Sequence, residues 1–386
     1  MCLRSIRQAA VLTLMLELGT LKNHWYSASS AAAPQRFEVV DDSCNADKAY
    51  RLACAGTAVL WQGDFQQAKQ LLQALTRRVH RPVRSQTSTN AMPQAFHAYR
   101  MAQAQRARIL SMVTLTIEAD YRIALRRAPD VKEALQSAWG PATAAVRVVA
   151  VRELLGIISA YEWQRKGVPI EVQGLDRFFI HPHYGVFAPV RSEYLDVLAQ
   201  SPLPSNELAW DIGTGSGVVA ALLLMRGVKR VIATDSSERA VRCASDNLQR
   251  LGLSDRAQVQ IDDVFPAGQS PLIVCNPPWL PGKATSLLEQ AIYDPQSRML
   301  RTFLSGVATH LSPGGEAWLL LSDLAEHFNL RTREELLQWI ADAGLQVLGR
   351  LDIRPRHPKV SDSSDALHTA RSQELTSLWR LGVRAA

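Results

Sequence analysis

The spacing of apolar and polar positions changes once along the chain. From Asp47 to about Gly167, apolar residues recur at helical spacing in "YRLACAGTAVLWQGDFQQAKQLLQALTRRV" (50–79) and "ARILSMVTLTIEADYRIALRRA" (107–128). Residues three and four apart share one face of an α-helix, so this stretch reads as almost wholly helical. Between the two runs, "HRPVRSQTSTNAMPQ" (80–94) has the Pro, Ser, Thr and Asn content of a loop. After Gly167, short β-rich runs alternate with helix-length segments. The strand candidates are "LAWDI" (208–212), "RVIATD" (230–235), "AQVQI" (257–261), "LIVC" (272–275), "EAWLLLS" (316–322), "LQVLGRLDI" (345–353) and "LTSLWRLGV" (375–383). Helices are expected from about Gly217, over 237–252, around Arg298 to His310 and from about Arg333 to Asp342. Strands alternating with helix-length crossovers make a doubly wound, mostly parallel sheet with helices on both faces. The last two strand candidates have no helix between them and can pair antiparallel.

This division predicts an N-terminal extension over 1–40, a mainly helical domain over 41–170 and an α/β domain over 171–386, lengths that suit separate cores. A composition of 47% hydrophobic and 20% charged residues is that of an ordinary globular protein. The formal charge of +7 suits an anionic partner without requiring one. Cys2, Cys44, Cys54, Cys243 and Cys275 are scattered and form no C-x-x-C. They indicate neither a zinc site nor a disulfide framework and fit a reducing cytoplasm. Near the start, Arg4 and Arg7 precede "AAVLTLML", but Glu17 and Lys22 interrupt the apolar stretch. No run approaches the roughly 18 apolar residues of a membrane span. An amphipathic first helix, or an extension from an upstream start codon, fits better than a secretory signal.

The candidate chemistry lies at the ends of the strand candidates. "WDIGTGSGVVAALLL" puts Asp211 at a strand end, then Gly213, Gly215 and Gly217 in a turn, then a helix. Glycines let the backbone approach a ligand closely, and a helix N-terminus offers free N–H groups to an anion. Asp235 ends the next strand, about 20 residues on, where an acid can take both hydroxyls of a ribose; it can equally cap the following helix. Asp262 and Asp263 end the third strand in "QIDDVF", placed either to bond an adenine amino group or to make a turn. In "LIVCNPPWLPG" (272–282) an apolar run stops at Asn276, followed by Pro277, Pro278 and Trp279. Two prolines supply no backbone donors and fix φ, so the chain leaves the sheet and holds its carbonyl groups still. Fixed carbonyls beside one amide and one large aromatic plane suit a flat group bearing an NH2.

The order DIGTGSG, ATD, DDVF, NPPW resembles that of class I S-adenosylmethionine-dependent methyltransferases, in the branch whose motif is Asn/Asp-Pro-Pro-aromatic. The resemblance covers roughly residues 175 to 386. Within that branch the chain is similar to the HemK-like, methyltransferase small-domain group, which methylates glutamine amides of release factors and ribosomal proteins. Its "GTGSG" matches that group's turn, and Pro189, Ser192 and Glu193 in "GVFAPVRSEY" resemble the group's Pro-x-x-Thr/Ser-Glu segment. The chain departs from the group in having Trp279 where Tyr is usual, and in a longer N-terminal half. The resemblance implies a seven-stranded Rossmann-like sheet with its last strand antiparallel, S-adenosyl-L-methionine as cofactor and no metal. It implies cofactor contacts from Asp211, Gly213, Thr214, Gly215, Gly217, Asp235, Ser236, Asp263, Val264 and Asn276. It also implies catalysis at Asn276, Pro277, Pro278 and Trp279. A glutamine amide in a protein of the translation machinery is then the first expected substrate. The exocyclic amine of adenine or guanine in RNA or DNA is the second. A non-catalytic nucleotide- or RNA-binding module is the alternative of another class.

Three further features bear on partners and ligands. From Phe65 to Ile117 there is no Asp or Glu, while Arg77, Arg78, Arg81 and Arg84 fall inside that stretch. This can be an electrostatic footprint for RNA or a set of arginines facing several ways. His181 and His183 have the spacing of one strand face but no third ligand nearby, and Cys275 reads as a small buried hydrophobe. "RPRHPKVSDSSDALHTARS" (354–372) reads as a solvated loop near the substrate side.

Overall fold

The computed structural model describes residues 21–80, 92–356 and 367–384. Cys2, Arg4, Arg7, Glu17, Arg81 and Arg84 lie outside the described residues, as does most of the 354–372 loop. The chain divides into two compact units. The first takes described residues 21–80 and 98–162, and the second takes 92–97, 163–356 and 367–384. No helix of the described residues is long and apolar enough to cross a membrane.

The first unit is an α/β unit, which corrects the almost wholly helical reading. Its sheet has the order β1 (Arg36–Val40), β2 (Thr57–Trp61), β3 (Val113–Ile117), β4 (Arg147–Ala150). β1, β2 and β3 are parallel, and β4 is antiparallel to β3. The helix Phe65–Val79 has the expected period and buries Phe65, Ala68, Leu71, Leu72 and Leu75. The error lies in "TAVLW" and "VTLTI". Every residue of β2 is buried, and so is all of β3 except Thr116. A strand covered on both faces loses its alternation, and its short apolar run fits a helical template equally well. Gly56, with φ +74°, stops the preceding helix Ala46–Cys54 before β2 begins. β1 falls inside the stretch read as an N-terminal extension.

The second unit contains a small hairpin, β5 (Val168–Ile170) with β6 (Phe178–Ile180), and a seven-stranded sheet. The strands of the sheet are β7 (Leu208–Ile212), β8 (Arg230–Asp235), β9 (Ala257–Ile261), β10 (Ser270–Cys275), β11 (Leu311–Ser322), β12 (Leu345–Ile353) and β13 (Thr376–Val383). Their spatial order is β12-β13-β11-β10-β7-β8-β9. β7 to β11 run parallel, and β13 lies antiparallel to both β11 and β12. A short helix, His368–Gln373, precedes β13 where no helix is expected from the sequence.

Both faces of this sheet are covered, which explains the unbroken apolar runs of its central strands. Leu272 and Val274 point into a core shared with the helices Glu193–Gln200 and Val218–Met225. Ile273 and Cys275 point the other way, into a core shared with Arg298–His310 and Arg333–Asp342. The latter helix starts at a capping box in which Thr332 and Glu335 satisfy each other's backbone N–H groups.

Candidate active site

The sheet places its turning point at the residues that carry chemistry. β8 and β9 lie on one side of β7, while β10, β11, β13 and β12 lie on the other. The crevice at the carboxyl ends of strands at such a reversal is where open α/β sheets bind ligands. β7 and β10 pair here with Ile212 opposite Cys275. The glycine turn and Asn276 therefore leave neighbouring strands at the same edge.

The turn is built by carbonyl and carboxylate anchors. The Thr234 carbonyl accepts the Gly213 and Thr214 N–H groups, both at 2.9 Å, and the Thr214 carbonyl accepts the Gly217 N–H at 2.8 Å. Asp211 is 2% exposed. Its Oδ2 accepts the Thr214 hydroxyl at 2.6 Å and the Ala220 N–H at 3.0 Å, tying strand, turn and helix together. Burial raises this carboxyl from 3.8 to about 7, with the two donors opposing the shift. The unfolded chain ionises first as pH rises, so the stability Asp211 supports is complete below pH 4 and declines until the folded group has ionised near pH 7. Asp211→Asn keeps an oxygen acceptor and should flatten that decline. Denaturant midpoints at pH 5 and pH 8 check it, and an unchanged slope would refute it.

Asp235 sits at the end of β8 and is not the helix cap; Ser237 caps Glu238–Arg250 by accepting the Ala240 N–H. Asp235 Oδ2 accepts the Gly215 N–H at 3.0 Å and Oδ1 the Ser237 N–H at 2.9 Å. Burial pushes its carboxyl above the usual range. Each carboxylate oxygen has a second acceptor site, so two hydroxyls can still be held. Ser236 is exposed beside it. At the end of β9, Asp263 is exposed and Asp262 is half-buried with its N–H on the Asp235 carbonyl at 3.3 Å. Val264 has φ +80°, an outlier for a β-branched residue, and its carbonyl accepts the Thr234 hydroxyl at 2.8 Å.

At the end of β10, Asn276, Pro278 and Trp279 are half-buried and Pro277 is buried. The Trp279 Nε1–H donates to Asn276 Oδ1 at 2.9 Å. The chain beyond the motif is tied down by pairing of Leu280 with Ile292 and Asp294. Asp294 in turn accepts the Leu300 N–H at the start of helix Arg298–His310. Sequence reasoning missed this anchor and also missed Arg191, whose guanidinium lies 5.9 Å from the Trp279 ring centre. Arg191 donates to Glu193 at 3.1 Å and to Glu374 at 3.2 Å. Arg191 lies inside the segment noted for Pro189, Ser192 and Glu193, which was a usable signal. Glu374 carried none, since only the fold brings it here.

Other candidates lie elsewhere. His181 and His183 follow β6; the His181 ring bonds the Gln164 carbonyl, and His183 pairs with Asp246 at 3.1 Å. Cys275 is fully buried, and burial holds its thiol well above the usual range, so it is not a nucleophile. In the first unit Arg78 pairs with Asp47 and lies 4.8 Å from the Tyr50 ring centre, while Arg77 is exposed.

A reversed seventh strand in an otherwise parallel sheet, a glycine turn at the switch point and an acid on the next strand define a class I, Rossmann-like methyltransferase domain. Residues 179–336, which lie within the second unit, match the family model described as "Methyltransferase small domain". Over 123 residues the chain is 32% identical to a release factor glutamine methyltransferase of Cereibacter sphaeroides, covering 28% of this chain and 44% of that protein. It is 28% identical over 190 residues to a ribosomal protein uL3 glutamine methyltransferase of Bordetella pertussis, covering 45% and 63%. It is 30% identical over 116 residues to a ribosomal protein L11 methyltransferase of Sorangium cellulosum, covering 30% and 31%. The chain thus spans between 31% and 63% of the length of these relatives. The cofactor of this domain is S-adenosyl-L-methionine, and the residues present fit it. Asp235 keeps acceptor capacity for a ribose, and a Cβ built on Gly215 meets nothing within 4 Å, leaving open space over the turn.

Proposed function

We propose that the chain is an S-adenosylmethionine-dependent N-methyltransferase acting in the cytoplasm on a glutamine side-chain amide of a protein of the translation machinery. The observation that carries this reading is the neighbourhood of Asn276-Pro277-Pro278-Trp279 and the glycine turn, on paired strands at the switch point. Relatives named as glutamine methyltransferases support the amide over other NH2 groups. The first unit is assigned to substrate recognition.

The cofactor when bound supplies a methyl group made electrophilic by its sulfonium. Asp235 would hold the ribose, the turn of Gly213, Thr214, Gly215 and Gly217 would lie against the cofactor, and Ser236, Asp263 and Val264 would border the adenine. Asp211 acts behind them by fixing the turn. An amide NH2 is a poor nucleophile because its lone pair is delocalised into the carbonyl. Asn276 Oδ1 and the Pro277 carbonyl would each accept one of its hydrogens, which draws the nitrogen toward sp3 and localises its lone pair. Pro278 keeps the Pro277 carbonyl from turning, and Trp279 stacks on the amide plane. Orientation and fixed dipoles supply the rate.

Labelling an extract from a strain lacking this protein with tritiated S-adenosylmethionine tests the reading. Label removed by protease and resistant to nuclease is expected; the reverse makes the substrate a nucleobase amine and turns the Arg77, Arg78, Arg81 and Arg84 stretch into its docking surface. Label in neither fraction overturns both. Asp235→Asn retains an acceptor for the Gly215 N–H but loses the charge. It should weaken cofactor binding about thirtyfold, as for loss of a charged hydrogen bond. Calorimetry checks this, and an unchanged Kd would remove Asp235 from the ribose.

A further inference from the structure

We propose that Trp279 is a positioning residue for Asn276: its indole N–H fixes the amide with the oxygen in place to receive the substrate, and Arg191 holds the indole there. The inference rests on the reading of Asn276 as acceptor of the substrate's amino hydrogens. A primary amide can present either end, and only one end accepts hydrogen bonds. The indole nitrogen is a donor and nothing else. Turned by 180°, the Asn276 amide would set its NH2 against that N–H, with two donors facing and no acceptor. The 2.9 Å bond from Trp279 Nε1 to Asn276 Oδ1 excludes that orientation. A carbonyl oxygen has two lone pairs, so Oδ1 retains one for the incoming N–H. A Tyr or Phe ring in this place has no donor at the position of Nε1, which gives the departure from the usual motif a physical consequence.

The indole is itself held. Arg191 lies against one of its faces, 5.9 Å from the ring centre. The guanidinium is fixed at two edges, Nε on Glu193 and Nη2 on Glu374. Glu374 is 2% exposed and also accepts the Ser322 hydroxyl at 2.8 Å. An arginine tied at both edges to buried carboxylates keeps its place, and the indole, packed on its other side against the core of the sheet, is held with it.

Trp279→Phe removes the N–H and retains a flat ring beneath Arg191. In the full chain labelled with 15N-tryptophan, the Trp279 indole signal, assigned by its loss in Trp279→Phe, is expected downfield and slow to exchange with water. In Asn276→Ala it should move upfield and exchange faster; an unchanged signal overturns the proposal. With tritiated S-adenosylmethionine and the protein that takes up label, Trp279→Phe should lower kcat about tenfold, with KM and cofactor Kd within about twofold. A wild-type kcat in Trp279→Phe would overturn the proposal and leave the methyltransferase reading standing. A wild-type chain that transfers no label would overturn that reading, while the indole signal still decides the amide orientation.

Discussion

Asn276→Ala should lower turnover about a thousandfold while leaving S-adenosylmethionine affinity unchanged, the size of effect seen when one preorganised partner of a transition state is removed. The reasoning is local. Asn276 begins where β10 ends, its side chain is half-buried, and its neighbour Cys275 is locked in the sheet core opposite Ile212. Truncation removes an acceptor without loosening the strand. The Gly215 to Asp235 and Ser237 to Asp235 bonds, which shape the cofactor side, are made by other residues. Asn276→Asp keeps an acceptor oxygen and should retain more activity than Ala. Single-turnover methyl transfer and calorimetry on the same preparations separate the two effects. A transfer rate for Asn276→Ala within tenfold of wild type would remove the motif from the chemistry.

Gly217→Ala should destabilise the second unit by about 2–5 kcal/mol. An L-residue held in the left-handed region costs about 1–2 kcal/mol. Gly217 has φ +82°, and a Cβ there lies 3.0 Å from the Ala244 Cα and 3.1 Å from its Cβ. Those atoms belong to the helix Glu238–Arg250, whose backbone cannot give way, and overpacking of this kind adds about 1–3 kcal/mol. Gly215 serves as the control, because its φ is +54° but its Cβ meets nothing within 4 Å. Gly215→Ala should therefore cost only the conformational part. Denaturant titration of the full chain, followed through the transition of the second unit, checks both. Equal shifts for the two variants would mean that the close approach to Ala244 contributes nothing.

Much of the second unit was legible because its segments obey simple periods and carry strong punctuation. The helices Arg298–His310 and Arg333–Asp342 end where their amphipathic patterns end. The strand β10 stops just before Asn276 and two consecutive prolines, which cannot donate to a ladder. In the first unit β2 and β3 were hidden because burial on both faces erases the alternation that marks a strand. The site divides in the same way. Asp211, Asp235 and Asn276 each follow directly from a strand end, so position along the chain implies position in space. Arg191, Ser322 and Glu374 meet only after three distant segments fold together, and no local pattern encodes that meeting. The positive φ of Val264 was equally invisible, since nothing in "QIDDVF" distinguishes it from an ordinary turn.

The insertion of β13 between β11 and β12 sets an order on folding during synthesis. Among the described residues β12 pairs with β13 alone, from Leu345 opposite Val383 to Ile353 opposite Thr376. When β12 leaves the ribosome it has no neighbour to join, because β11 awaits the same missing strand along Ala317 to Ser322. The half of the sheet built on β7, β8, β9 and β10 can form earlier, while the edge of β11 stays open to other chains until residues 376–383 arrive. A premature stop between Ile353 and Thr376 therefore takes two strands out of the sheet rather than one. It leaves exposed the apolar edge at which truncated chains would aggregate.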